Sequence, residues 1–185
     1  MKQKVDISII YDCQKGNHDA FRQIYEAYQQ QIYGLAFRYT NDSEESLDIT
    51  QEIFMRIFLR IGNFRNECSF DTWVYRVSVN AIISAIRKNK DHTLFDEEIM
   101  EFSDSSAQAD IQLESQETEH YIKCAIAKLP ESLRMPFILV VQEQRTYADV
   151  ADILEINISA VRMRVSRARQ LLRTTLQPYI NGDNI

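Results

Sequence analysis

Five arginines, Arg162, Arg164, Arg167, Arg169 and Arg173, fall within twelve residues that hold no acidic side chain. Like charges at that density repel one another along a helix unless an anion lies beside them. At 100° per residue, Val161, Val165, Ala168, Leu172 and Leu176 share one arc and pack inward. Arg162, Met163, Ser166, Arg167 and Gln170 share the opposing arc. That set suits a DNA major groove. Arginine bonds bidentately to guanine O6 and N7, glutamine to adenine and serine to either, while a methionine can touch a thymine methyl. Arg164, Arg169 and Arg173 flank this face and are better placed for phosphates.

A short preceding helix must position that face. Thr146 followed by Asp149 predicts a capping box opening a helix over 147–154, with Val150, Ala151 and Leu154 buried. Glu155-Ile156-Asn157 is a three-residue break, and Ser159 caps a longer helix running to about Gln177. Two helices joined by a tight turn, the second rich in arginine, make a helix-turn-helix. Upstream, Pro130 suits the first position of a helix, and Pro136 predicts a kink or a restart.

A second constellation lies in the N-terminal half. A helix predicted over about 70–88 aligns Trp73, Arg76, Asn80, Ser84 and Arg87 in one stripe. Such a stripe suits single-stranded nucleic acid: the indole stacks on a base, the amide bonds base edges, and the cations neutralise phosphate. Trp73 taken alone is more often a core residue. Before it, residues 17–39 carry Phe21, Ile24, Tyr25, Tyr28, Ile32, Leu35 and Ala36 at helical spacing. Residues 43–61 predict another helix, capped by Ser43 and ended by Gly62. Its buried arc is expected to hold Leu47, Phe54, Ile57, Phe58 and Ile61. Asp48, Gln51, Glu52 and Met55 fall opposite, on what the residues alone describe as a solvent face.

Composition separates the two constellations. The 185 residues carry a net charge of −6, with four Gly and three Pro, too few turn residues for a many-stranded sandwich or barrel. Residues 91–120 contain ten acids and no Lys or Arg. Without that segment both flanking parts are net basic, so the overall charge does not argue against nucleic acid. A stretch so acidic reads as a flexible linker, with an acidic helix over part of 108–120 as the other reading. The expected fold is all-α: two small helical domains, 1–90 and 119–180, joined by an acidic linker over 91–118. The linker's length, about 30 residues, spans roughly 30 Å as a coil and roughly 100 Å when stretched. Two DNA sites separated by two helical turns lie about 70 Å from each other.

Three cysteines without a CxxC pair suit a reducing cytosol. No signal peptide or 18-residue apolar span is present in the sequence. No phosphate-cradling glycine loop, GxSxG or HExxH points to an enzyme. His120 and Cys124 stand one helical turn apart, without the further ligands a metal site requires. No cofactor and no metal are expected.

Four segments, SEESLDITQEIFMRIFLRIGNFR, SFDTWVYRVSVNAIISAIRKNK, LPESLRMPFIL and TYADVADILEINISAVRMRVSRARQLLR, follow one another as in extracytoplasmic-function (ECF) sigma factors. The chain resembles these small members of the bacterial sigma-70 family along most of its length. The resemblance implies that 1–90 is sigma region 2 and 119–180 is sigma region 4. It implies a non-enzymatic initiation factor that binds core RNA polymerase and directs promoter-specific transcription. Asp48, Gln51, Glu52 and Met55 would then dock on the clamp helices of the polymerase largest subunit, and region 4 on the flap of the second-largest. The loop after Gly62, with Phe64 and the Asn66–Ser69 stretch, would capture a flipped base of the minus-ten element. Asn80 would read that element, with Trp73, Arg76 and Arg87 along the melting strand. Ser159, Arg162, Met163, Ser166 and Arg167 would face the minus-thirty-five element, with Arg164, Arg169 and Gln170 beside them. An anti-sigma factor is the implied regulator and the cytoplasm the implied location, without membrane insertion. The alternative is a stand-alone helix-turn-helix regulator that binds operator DNA without polymerase.

Overall fold

The computed structural model describes residues 5–93 and 110–180, with side chains placed over 5–88 and 118–177. Its elements are α1 (Ile7–Gln14), α2 (His18–Thr40), α3 (Ser43–Arg60), a 3-10 turn (Ile61–Asn63), α4 (Phe70–Thr93), α5 (Asp110–Ala127), α6 (Glu131–Phe137), a π-helical segment (Ile138–Gln142), α7 (Tyr147–Leu154) and α8 (Ile158–Ile180). No strand occurs among the described residues.

The N-terminal bundle wraps α2, α3 and α4 around Ile24, Ile32, Leu35, Ile53, Ile57, Val74 and Ile82, all fully buried. The expected cap and phase of α3 both need correction. Asp42, not Ser43, is the N-cap: its backbone is extended and its carboxylate accepts from the Glu45 amide at 2.8 Å. A carboxylate there also complements the helix dipole. The buried arc holds Ser46, Ile49, Thr50, Ile53, Phe54 and Ile57, whereas Leu47 and Phe58 are exposed. The arc is rotated because Ser46 and Thr50 enter the core. Their hydroxyls donate to carbonyls one turn back, so burying them leaves nothing unsatisfied. Nor does Gly62 end the helix in a left-handed residue. Its φ is not positive, and α3 tightens directly into the 3-10 turn.

α1 was not foreseen. Asp6 caps it, Ile10 and Cys13 bury against the bundle, and Gln14 Nε2 donates to the Ile61 and Phe64 carbonyls, both at 2.9 Å. It therefore braces the loop between α3 and α4. Burial raises the Cys13 thiol pKa.

In the C-terminal part the capping box forms as expected, with Thr146 and Asp149 bonding reciprocally. Glu155, left-handed at φ 55°, makes the turn, and Asn157 rather than Ser159 caps α8 by accepting from the Ala160 amide at 2.7 Å. Ser159 Oγ donates to that same Asn157 oxygen. Ile153 is buried where Leu154 was expected and Leu154 is half-buried. Pro130 is the N-cap, not the first helical residue, because its carbonyl accepts from the Leu133 and Arg134 amides at 2.8 and 2.9 Å. Pro136 sits inside α6, and the backbone resumes as the π segment, a restart of the kind a missing N–H demands. α5 starts at Asp110, within the stretch expected to be linker, which matches the acidic-helix reading of that half. The acids of 96–104 lie outside the described residues.

The two parts pack on one another. α7 lies against α4, and the π segment against α2.

Candidate nucleic-acid interface

The loop from the 3-10 turn to α4 is built around three rings. Phe64, Phe70 and Trp73 meet with centroids 5.2–5.6 Å apart, Phe70 and Trp73 stacked. Phe64 is only 7% exposed, so its ring is a wall rather than a free stacking surface. Asn63, Phe64, Arg65, Glu67, Cys68, Trp73 and Arg76 line a cleft of about 420 Å³. A cleft of that size falls in the range of small-ligand sites. Asn66 takes a left-handed backbone, φ 58°, and its amide donates to the Tyr11 hydroxyl at 3.3 Å. Ser69 caps α4 by accepting from the Thr72 amide at 3.0 Å. Its side chain is thereby committed to the helix start.

Along α4, Arg76, Asn80 and Arg87 follow Trp73 as the wheel requires, but the arginines are occupied. Arg76 donates to the Asp152 carbonyl at 2.7 Å and pairs with Glu155 at 3.1 Å. Arg87 meets Glu131 at 2.7 Å, and that carboxylate holds the Arg87 pKa above its usual value. Asn80 is exposed and opens on a cavity of about 540 Å³ shared with Arg87, Glu131, Glu155 and Arg164.

On α8, Val161, Val165, Ala168 and Leu172 are buried and Leu176 half-buried. Ser159, Arg162, Met163, Ser166, Arg167, Arg169 and Gln170 are exposed, and Arg164 is half-buried against that shared cavity. Arg162 lies over the Tyr147 ring at 5.8 Å, which ties the reading helix to α7.

On α3, Asp48, Gln51, Glu52 and Met55 all face solvent. Leu47 and Leu59 stand with them; Met55 is 60% and Leu59 71% exposed. Exposed large apolar side chains therefore stand beside carboxylates and an amide on this face. Met55 is in the sequence-derived set, whereas Leu47 was assigned to the core and Leu59 to neither arc.

Family models match both halves of this geometry: sigma-70 region 2 over residues 24–92 and sigma-70 region 4 over 119–172. The RNA polymerase sigma-H factor of Pseudomonas aeruginosa is 30% identical over 97% of this chain and 98% of its own. This chain belongs to the ECF sigma factors of the sigma-70 family. The ECF sigma factor SigW of Bacillus subtilis is likewise 30% identical, over 91% of this chain and 95% of that one. Among solved structures, CnrH in complex with the cytosolic domain of CnrY has the same fold, with a TM-score of 0.69 at 18% identity over 94% of this chain and 98% of that one. The chain is therefore a sigma factor that binds core RNA polymerase and directs promoter-specific initiation. Sigma factors are non-catalytic initiation factors. No helix among the described residues is long and apolar enough to cross a membrane.

Proposed function

We propose that this sigma factor divides promoter recognition between α8 and the α4 face. α8 reads the upstream element from the major groove. Arg162, Met163, Ser166 and Arg167 touch base edges, Gln170 extends that face, and Ser159, Arg164 and Arg169 hold the backbone. The supporting observation is that its inward arc is buried, apart from half-buried Leu176, while this set, apart from half-buried Arg164, stands exposed. The cleft beside Trp73 takes an unstacked base of the downstream element. Extracting a base costs a few kcal/mol, so the opening needs such a pocket. Phe64 shapes its wall, Asn66 and Ser69 fix the loop's backbone, and Asn80, Arg76 and Arg87 follow the strand.

The exposed α3 face of Asp48, Gln51, Glu52 and Met55 docks on the clamp helices of the polymerase largest subunit, and region 4 on the flap of the second-largest. Residues 1–90 and 119–180 act as the two working domains, and the acidic stretch between them as their connection. The protein carries no enzymatic activity, works in the cytoplasm, and is held by an anti-sigma factor. A structural neighbour, the sigma factor RpoE of Bartonella quintana, is solved in complex with the anti-sigma factor NepR, and this supports that partner.

Gel shifts on promoter fragments with and without core polymerase test the division of labour. Specific retardation is expected only with core, and substitution of either DNA element should weaken it. Tight sequence-specific binding by the free chain would instead favour a stand-alone regulator.

A further inference from the structure

One side chain of α1 holds the loop that shapes the cleft beside Trp73. Gln14 Nε2 commits both of its N–H groups there, to the Ile61 and Phe64 carbonyls, each at 2.9 Å. Those carbonyls bracket the 3-10 turn, which the Phe64 amide closes onto the Ile61 carbonyl at 3.1 Å. At Phe64 the backbone leaves the turn extended, with φ −70° and ψ 118°. Its carbonyl therefore lies outside any helical ladder, and Gln14 supplies the donor it needs. Three residues earlier on α1, the Tyr11 hydroxyl accepts from Asn66 Nδ2 at 3.3 Å. Residues 65–68 make no backbone–backbone hydrogen bond among the described residues, so this side-chain bond is what fastens them. Left-handed backbone at a residue other than glycine, as at Asn66, costs energy and persists where neighbours hold it.

α1 itself is anchored independently of the loop. Ile10 and Cys13 are buried against the bundle. Gly16, at φ 88°, turns the chain back towards α2, its amide on the Cys13 carbonyl at 2.9 Å and the Asn17 amide on the Asp12 carbonyl at 3.1 Å. A Cβ on Gly16 would meet no neighbour, so the glycine answers the φ and not a lack of space. The helix is thus a fixed post, and its reach to residues 61–66 sets where the cleft wall stands. Asn63, Phe64 and Arg65 all line the cleft. The Phe64 ring carries the same constraint to Phe70 and Trp73, at centroid distances of 5.2 and 5.5 Å.

We propose that Gln14 is a positioning residue for base capture, with Tyr11 as a second hold, so that α1 fixes the loop before DNA arrives. Neither is among the described residues that line the cleft, so both act through the loop and not on the base. The proposal rests on the cleft beside Trp73 being the seat of the unstacked base. A loop ordered in advance loses little conformational freedom on binding, so more of the base's contact energy offsets its extraction from the stack.

The test uses the polymerase holoenzyme and a single-stranded oligonucleotide carrying the downstream element of a promoter that it transcribes. A series of such probes, each with one abasic site, finds the position whose base the parent holds most tightly. Gln14→Met keeps the length of the side chain and removes both donors. Tyr11→Phe removes one acceptor from an exposed ring, for the case that the first variant disturbs folding. Gln14→Met should bind the intact probe about tenfold more weakly, the scale of one or two hydrogen bonds. For Tyr11→Phe the loss should be about threefold. Both should bind the probe abasic at that position as the parent does, because the pocket's shape matters only where a base fills it. Affinity for core polymerase should be unchanged. Equal weakening on intact and abasic probes would mark a general structural defect and overturn the proposal. So would parental binding of the intact probe by folded Gln14→Met, or by Tyr11→Phe where Gln14→Met does not fold. A parent indifferent to abasic substitution at every position removes the cleft from base capture, and the proposal falls with it.

Discussion

Replacing Arg167 by Ala should cost the upstream promoter element about 1–3 kcal/mol of binding, the range for a base-reading arginine. Arg167 is exposed on α8, one turn beyond Met163, with Val165 and Ala168 buried behind it, so its guanidinium has no protein task to lose. The loss should be selective: binding to a promoter altered at the contacted base should fall far less, because that contact is already missing. Arg169→Ala is the control. As a phosphate contact it should weaken binding about equally across sequences and reduce the salt slope by about one. Competition titrations of the polymerase holoenzyme at two salt concentrations separate these behaviours. Equal, sequence-independent losses for both variants would remove Arg167 from the reading face.

The second large effect belongs to α3. Gln51→Ala combined with Met55→Ala should lower affinity for core polymerase by about 2–4 kcal/mol, roughly 30-fold or more, as expected when central contacts of an interface are truncated. Stability should be untouched, since both side chains face solvent and the core arc lies across the helix. Glu52 is a subtler case. Its carboxylate already pairs with Arg56 at 2.5 Å, so part of its charge is committed within the helix. Fluorescence titration of core enzyme against each variant, with thermal melts beside it, checks both claims. Wild-type affinity in the double variant would show that polymerase docks elsewhere.

The helix-turn-helix was legible because its signals are local. Thr146 and Asp149 lie three residues apart, and the arginine face and apolar arc of α8 repeat within a few turns. The phase of α3 was not legible. The wheel placed the buried arc on Leu47 and Phe58, and the actual phase depends on Ser46 and Thr50 entering the core through bonds to their own backbone. α1 was hidden for a related reason. Its worth lies in Gln14 reaching carbonyls near residue 61, a contact that no short window contains. Least visible was the closure of region 4 on α4. Arg145 and Asp71 are 74 residues apart and Arg38 and Glu143 are 105 apart, and in sequence each reads as an ordinary surface charge. Pairing at such separation is a property of the packed chain, not of local pattern. It also changes the meaning of the predicted strand-binding stripe: Trp73, Arg76, Asn80 and Arg87 do align, yet its two arginines are already engaged.

Run-off transcription with purified core polymerase tests the central claim most directly. Core enzyme supplemented with this protein should yield a discrete transcript from a cognate promoter and none from the same template with its upstream element replaced. A folded protein that binds core yet gives no transcript above core alone would contradict it.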